Sequence, residues 1–237
     1  MCTVSWVHEG GGYHLLCNRD EKRARAAALG PRFERRGGVI FLAPTDGAAG
    51  GTWLAVNQFG LAVCLLNGAA RTAGTRSRGL VVRELAWAES ADECSLWLRQ
   101  LDLSPYAAFT LLMLEPKAPA VVAQWNGDTV RLDRDAEGLM PLTSSSYDGD
   151  AVCAHRTGEF ERRRASAGRV DSGLLYWFHA SHGRQADAYS PCMHRADAQT
   201  VSFSWVTVTA REVRFFYSPD APCTWSEGEQ QTLARVA

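Results

Sequence analysis

The sequence predicts an α+β protein in which two antiparallel sheets carry helices on their outer faces. Three observations lead there. The hydrophobic period switches in blocks: strands, a helical pair, strands, a second helical pair, strands. A simple alternating βαβ sheet would not produce that order. Short turn signals join neighbouring strands, as antiparallel hairpins require. Apolar residues make up 46% and charged residues 22% of the 237, a balance suited to a packed core and not to a disordered tail. No internal repeat or low-complexity linker divides the chain, so residues 1–237 read as one domain.

Residues 2–8 and 13–18 are predicted strands around Glu9-Gly10-Gly11-Gly12, where glycines supply positive φ. Residues 21–38 are basic, alanine-rich and punctuated by Gly30-Pro31 and Gly37-Gly38, and read as irregular. A short strand over 39–43 precedes a hairpin of 52–57 and 61–66 about Gln58-Phe59-Gly60. Residues 79–89 predict a helix with Leu80, Val81, Leu85 and Trp87 on its apolar face. Ser90-Ala91-Asp92-Glu93 is a capping box that starts another helix, reaching Leu101 with Leu96 and Leu98 inward. Strands follow over 109–114, 121–125 and 129–132, the last two joined by Asn126-Gly127, and 138–145 add a strand or an extended loop. A helix over 150–167 puts Arg162-Arg163-Arg164 on its solvated side, and Asp171 caps a further helix through His179. Strands over 200–209 and 212–217 close the chain.

Lys+Arg 25 against Asp+Glu 26 leaves a net charge of -1. That balance argues against nucleic acid or an anionic membrane as the main partner, because both reward a large cationic excess. Only Lys22 and Lys117 are lysines, a bias expected of a GC-rich bacterial genome rather than of phosphate binding. No window approaches the roughly 18 consecutive apolar residues of a membrane span. The start, Met1-Cys2-Thr3-Val4, has no cationic lead, so no signal peptide is expected and the chain is placed in a reducing cytoplasm. Seven cysteines without a CxxC pair suit free thiols better than a disulfide framework. GxxxxGK[ST], GxGxxG, HExxH and GxSxG do not occur, which removes support for nucleotide, metalloprotease and serine-hydrolase readings.

The position that stands out is Cys2. A residue this small permits removal of Met1, leaving a cysteine with a free α-amine. Such an amine has a pKa of about 7.7–8.0 and is a base at neutral pH. Nucleophile and base then belong to one residue, as in N-terminal nucleophile hydrolases. A turn centred between Gly10 and Gly11 pairs residues whose numbers sum to about 21, so Cys2 lies opposite Arg19, with Asn18 and Asp20 beside it. A guanidinium there would favour thiolate, and a carboxylate would hold the new ammonium. The same charges would also suit an ordinary ion cluster at a strand end.

Met-Cys at the start together with Asn18-Arg19-Asp20-Glu21 resembles the NRDE, or transport and Golgi organisation, family. Gly50-Gly51-Thr52-Trp53-Leu54 and Asn57-Gln58-Phe59-Gly60 resemble two further segments of that family. These motifs cover chiefly the first third of the chain. The family in turn resembles N-terminal nucleophile hydrolases of the choloylglycine hydrolase and penicillin V acylase type, which implies a four-layer αββα sandwich. The resemblance implies Cys2 as nucleophile with Arg19 and Asp20 beside it, and Asn67 as an oxyanion donor, although Asn67-Gly68 also reads as a plain turn. Ser144, in Pro141-Leu142-Thr143-Ser144-Ser145, stands where the relatives carry a second asparagine. The family's following Trp-Pro-Lys is replaced by Tyr147-Asp148-Gly149. Arg195 matches a late arginine facing the nucleophile, and also reads as a surface charge.

Two function classes follow. One is a cysteine hydrolase cleaving a non-peptide amide or related acyl bond through a thioester. The other is a carrier for haem or an acyl lipid on the same scaffold, since animal members of the family are linked to haem trafficking and lipid homeostasis. Trp6, Trp53 and Trp205 fall on predicted strands as core filling, with some available to line an acyl pocket. His179, His182, Cys192 and His194 hold zinc-type donors, but their spacing fits no familiar finger, so neither metal nor cofactor is expected.

Overall fold

The computed structural model describes residues 2–68, 74–183, 185–224 and 227–236. One sheet contains β1 (Cys2–Glu9), β2 (Gly12–Lys22), β10 (Leu142–Ser144), β11 (Ala198–Val208), β12 (Glu212–Ser218) and β13 (Glu229–Ala234), in the order β10-β1-β2-β11-β12-β13. The other runs in sequence order through β3 (Leu29–Arg36), β4 (Val39–Thr45), β5 (Leu54–Asn57), β6 (Ala62–Asn67), β7 (Phe109–Leu114), β8 (Val121–Trp125) and β9 (Val130–Asp133). All pairings are antiparallel. The helices are α1 (Gly79–Leu85), α2 (Ala91–Gln100), α3 (Gly149–Ala167) and α4 (Ser172–His179).

Three apolar interfaces stack these elements into four layers. Val4, Trp6, Leu15, Leu54, Val56, Leu112 and Phe215 fill the space between the sheets. Val81, Leu85 and Leu98 of the first helical pair pack on Val63, Leu65 and Leu111 behind the second sheet. Phe160, Leu175 and Phe178 of the later pair cover Leu16 and Phe203 behind the first. The architecture is the expected αββα sandwich.

Local sequence explains most boundaries. Gly10 and Gly11 have φ of 60° and 77°, the positive values that a two-residue hairpin turn demands at both central positions. The resulting ladder pairs Cys2 with Arg19, Thr3 with Asn18 and so on to Glu9 with Gly12, the register anticipated from the turn. Asp148, Ser90 and Asp171 each accept a backbone N–H at a helix start.

Four expectations are corrected. Residues 29–36, read as irregular, form β3, because Gly30-Pro31 sits on an edge strand where a register shift between Leu29 and Arg32 accommodates it. β13 was not foreseen; its Glu229-Gln230-Gln231-Thr232 lead is polar because the strand is an edge with little to bury. α1 ends at Leu85 rather than near residue 89. In α2, Leu98 is buried but Leu96 is exposed, and Ala91, Cys94 and Ser95 take the inner face.

The later helical pair is tied to its sheet by charge as well as by apolar packing. Arg156 of α3 is buried, and its Nη1 donates to Asp20 Oδ2 at 3.2 Å on β2. Arg156 Nη2 and Nε donate to the carbonyls of Ala188 and Tyr189 at 3.1 and 3.3 Å. Removing one partner strands the other as a buried charge. Arg156→Met should therefore lower unfolding free energy by about 3–5 kcal/mol, read from the denaturant midpoint; a loss below about 1 kcal/mol would contradict this account.

Candidate active site

Strand alternation divides the Asn18-Arg19-Asp20-Glu21 motif between two faces of β2. Cys17 and Arg19 point between the sheets, on the side of Cys2, Val4 and Trp6 across the ladder. Asn18 and Asp20 point towards the helices. Asn18 Nδ2 donates to the carbonyls of His179 and Pro191 at 2.9 and 2.8 Å. Asp20 accepts from Arg156 and from Thr200 Oγ1, the latter at 2.7 Å. Asp20, expected beside Cys2 as the carboxylate that holds its nitrogen, is engaged by Arg156 and Thr200 on the opposite face from Arg19, because one residue along a strand reverses the side chain.

Cys2 is 6% exposed and begins β1, between β2 and β10. Its backbone nitrogen donates to Ser144 Oγ at 3.1 Å, across a rung that pairs Cys2 with Ser144. Ser144 thus lies against the Cys2 nitrogen. The thiol does not have the thiolate bias expected from Arg19. A hydrogen bond with Cys17, burial and the Cys17 charge hold its pKa well above the usual value, and Asp20 adds to the rise. A buried thiol in this setting stays protonated until a base takes its proton.

Arg19 cannot act as a free cation because Asp46 engages it. Its Nη2 donates to Asp46 Oδ2, and its guanidinium lies 4.5 Å from the ring centre of Trp53. Asp46 also accepts from Arg25 at 2.9 and 3.0 Å. Burial raises the Asp46 pKa, but Arg25, the Ala49 N–H and Arg19 outweigh it and leave the carboxyl below its usual value.

Trp53 reaches this place through the glycines before it. A Cβ on Gly51 would lie 2.8 Å from Gly79 backbone atoms, and one on Gly79 would lie 2.7 Å from Thr52. Only glycine at both positions lets the Thr52-Trp53 segment cross the start of α1 this closely. Together these residues enclose a cavity of about 870 Å³. Cys2, Arg19, Trp53, Leu65, Asn67 and Arg78 line it, with Arg25, Arg76, Glu21 and Asp46 as further charges.

The Transport and Golgi organisation 2 family matches residues 1–162. The chain belongs to that family. No curated protein matches it. Among solved structures it is similar to penicillin V acylase from Agrobacterium tumefaciens, at 8% identity and a TM-score of 0.58, covering 99% of this chain and 86% of that one. It is also similar to a variant of conjugated bile acid hydrolase from Clostridium perfringens, at 10% identity and a TM-score of 0.59, covering 99% and 92%. At such identities the likeness concerns the fold, which is that of N-terminal nucleophile hydrolases.

In this member of the family the structure brings together Cys2, Arg19, Asn67 and, through the Cys2 nitrogen, Ser144. Asn67 ends β6 and borders the cavity, paired with Phe109 on the next strand. Arg195 is placed elsewhere: it pairs with Asp197 at 2.8 Å and stacks 4.9 Å from the Tyr147 ring centre. Asp46 and Arg78 were not foreseen. Asp46 carries no local signal, since its role comes from two arginines 27 and 21 residues away. Asn57, in the Asn57-Gln58-Phe59-Gly60 segment, is structural: its amide donates to the Ala86 and Ala88 carbonyls at 3.1 and 2.6 Å.

His179 supports the helix-facing side of the motif. It is fully buried, with Nε2 2.8 Å from Ser5 Oγ. Burial, then the Arg156 charge, lower its pKa from 6.5 to about 3. The folded imidazole is neutral, whereas the unfolded one binds a proton once pH falls below 6.5. Its contribution is fully present above that pH and is lost as pH falls towards about 3, with a slope of up to about 1.4 kcal/mol per pH unit. His179→Gln should flatten the stability profile across that window, measured by urea unfolding at stepped pH; an unchanged slope would rule the histidine out as its source.

Proposed function

We infer that this protein is an N-terminal cysteine hydrolase that cleaves a non-peptide amide or related acyl bond. The observation that carries this reading is the placement of Cys2: first in its strand, against the wall of a polar cavity, with its thiol proton retained and its nitrogen held by Ser144. Loss of Met1 turns that nitrogen into an α-amine beside the thiol it must deprotonate.

The amine takes the thiol proton as sulfur attacks the carbonyl carbon, and the carbonyl oxygen becomes an oxyanion. Asn67 donates its amide to that oxygen. Collapse of the intermediate expels the leaving amine, which receives the proton now held on the α-ammonium, and a thioester remains on Cys2. Water then gives a proton to the α-amine and adds to the thioester, releasing the acid and restoring the thiol. The Asp20 charge, which reaches Cys2 electrostatically, steadies the ammonium form. Arg19, fixed by Asp46 and Trp53, is a rigid wall of the cavity rather than a proton donor.

Charge supports a substrate class. Among the described residues, four arginines and two carboxylates line the cavity, and Asp46 engages two of the arginines. Arg76 lies over Tyr106, and Arg78 donates to the Ala108 carbonyl. These two cations favour an acyl compound bearing an anionic group.

The carrier reading draws on a separate apolar cavity of about 520 Å³, lined by Tyr176, Phe203, Trp205, Phe216 and Pro222. Haem bound there would quench Trp205 fluorescence and a fatty acid would shift its emission, in each case equally in wild type and in Cys2→Ala.

Intact-mass measurement should find Met1 removed. Cys2→Ala should reduce turnover of any anionic amide found by screening to background, with unchanged circular dichroism. Full activity in that variant, or a retained Met1, would refute the hydrolase reading. Asn67→Ala should lower kcat by about 10²–10³-fold, as expected for one lost oxyanion donor, with KM little changed. An unaltered kcat would remove Asn67 from the mechanism.

A further inference from the structure

A second group of reactive side chains lies outside the Cys2 cavity lining, in the loop that follows α4. His182, Cys192 and His194 come from this loop, and Cys223 from the turn Pro222–Thr224 after β12. One ligand atom from each of the four lies within 4.8 Å of all the others. His194 Nε2 is 3.1 Å from Cys223 Sγ and 3.5 Å from Cys192 Sγ. The rings of His182 and His194 have centroids 5.1 Å apart.

We propose that His182, Cys192, His194 and Cys223 form a structural tetrahedral zinc site. Zinc–sulfur bonds of about 2.3 Å and zinc–nitrogen bonds of about 2.0–2.1 Å give tetrahedral ligand–ligand edges of about 3.3–3.8 Å. Both distances from His194 Nε2 fall at or near that range, and a modest inward turn of the remaining side chains completes it. Two thiolates and two imidazoles without a carboxylate select zinc over magnesium or calcium. Four protein ligands leave no open position, which suits a structural role rather than a catalytic one.

His179, grouped with these donors on sequence grounds, is not a member. Its ring is buried against Ser5 on the other side of the α4 terminus. Cys223 takes its place, 29 residues beyond His194.

The site's position gives it a task. Between the ligands Cys192 and His194, Met193 donates its N–H to Thr200 Oγ1 at 2.9 Å, and Thr200 Oγ1 donates to Asp20. Just before Cys192, the Pro191 carbonyl accepts from Asn18. Clamping residues 192–194 to Cys223 therefore holds the partners of both helix-facing residues of the Asn18-Arg19-Asp20 motif. The same loop meets Arg156 through the Ala188 and Tyr189 carbonyls.

The test uses the full chain purified under reducing conditions without an affinity tag. Elemental analysis should find close to one zinc per chain. Exchange with Co²⁺ should give the strong visible bands of tetrahedral cobalt together with near-ultraviolet thiolate charge transfer. Cys223→Ser should abolish the charge-transfer band or reduce it markedly. His182→Ala, at an exposed position where folding is not at stake, should weaken zinc affinity roughly 100-fold or more, beyond what outer-shell changes cost. Cys153→Ser and Cys2→Ala should bind as wild type does, which separates this site from the hydrolase reading. Chelation should lower the thermal midpoint by at least about 5 °C. No zinc uptake, cobalt spectra indifferent to Cys223→Ser, or a Cys192–Cys223 disulfide in the reduced preparation would each overturn the site.

Discussion

Everything at the Cys2 cavity depends on the ladder between β1 and β2. Two glycines at positive φ close the hairpin, and from them the pairing runs without a slip to Cys2 opposite Arg19. A shift of one residue would put Cys2 on the face of Asn18 and Asp20, away from Arg19. The motif needs both faces. Arg19 joins the cavity wall, while Asn18 and Asp20 bind the loop and helix behind the sheet. Reactive geometry on one side and support on the other are thus parts of one strand.

Charge is arranged to match. Asp20 meets Arg156 in the fully buried layer, and Asp46 meets Arg19 and Arg25 at the cavity edge. Each pairing limits the cost of placing charge out of water. Arg19, adjacent to the thiol in the ladder, is thus engaged by the Asp46 carboxylate. The Cys2 thiol is then governed by burial and by Cys17, and stays neutral. A thiol in that condition gives up its proton only to a base at contact distance, and the nitrogen of the same residue is already held in place by Ser144.

The helical layer behind β2 is more than packing. Arg156, His179 and the segment 186–194 form a continuous hydrogen-bonded backing for Asn18 and Asp20. Its polar groups are buried, so its integrity rests on directional contacts instead of apolar area. A metal clip at the end of this segment would restrain the part of the backing that has the least regular structure.

Local physics explains what could be read in advance. The hairpin register follows from a two-glycine turn, α4 from the Asp171 cap, and the β8–β9 connection from Asn126-Gly127, each needing only a few adjacent residues. Block periodicity similarly sufficed for two antiparallel sheets with helices outside. β3 and β13 escaped because edge strands bury little and tolerate Pro31 or a run of polar residues, so neither alternation nor composition marks them. Cys2 and Arg19 were legible as neighbours because the turn between them sets their pairing. Asp46, Arg78 and Cys223 were not, because their partners arrive across sheet stacking and long connections. Sequence alone determined which residues face one another across a short turn. Only the packed tertiary structure decided which distant charges and thiols meet, since that depends on how whole layers come to rest against one another.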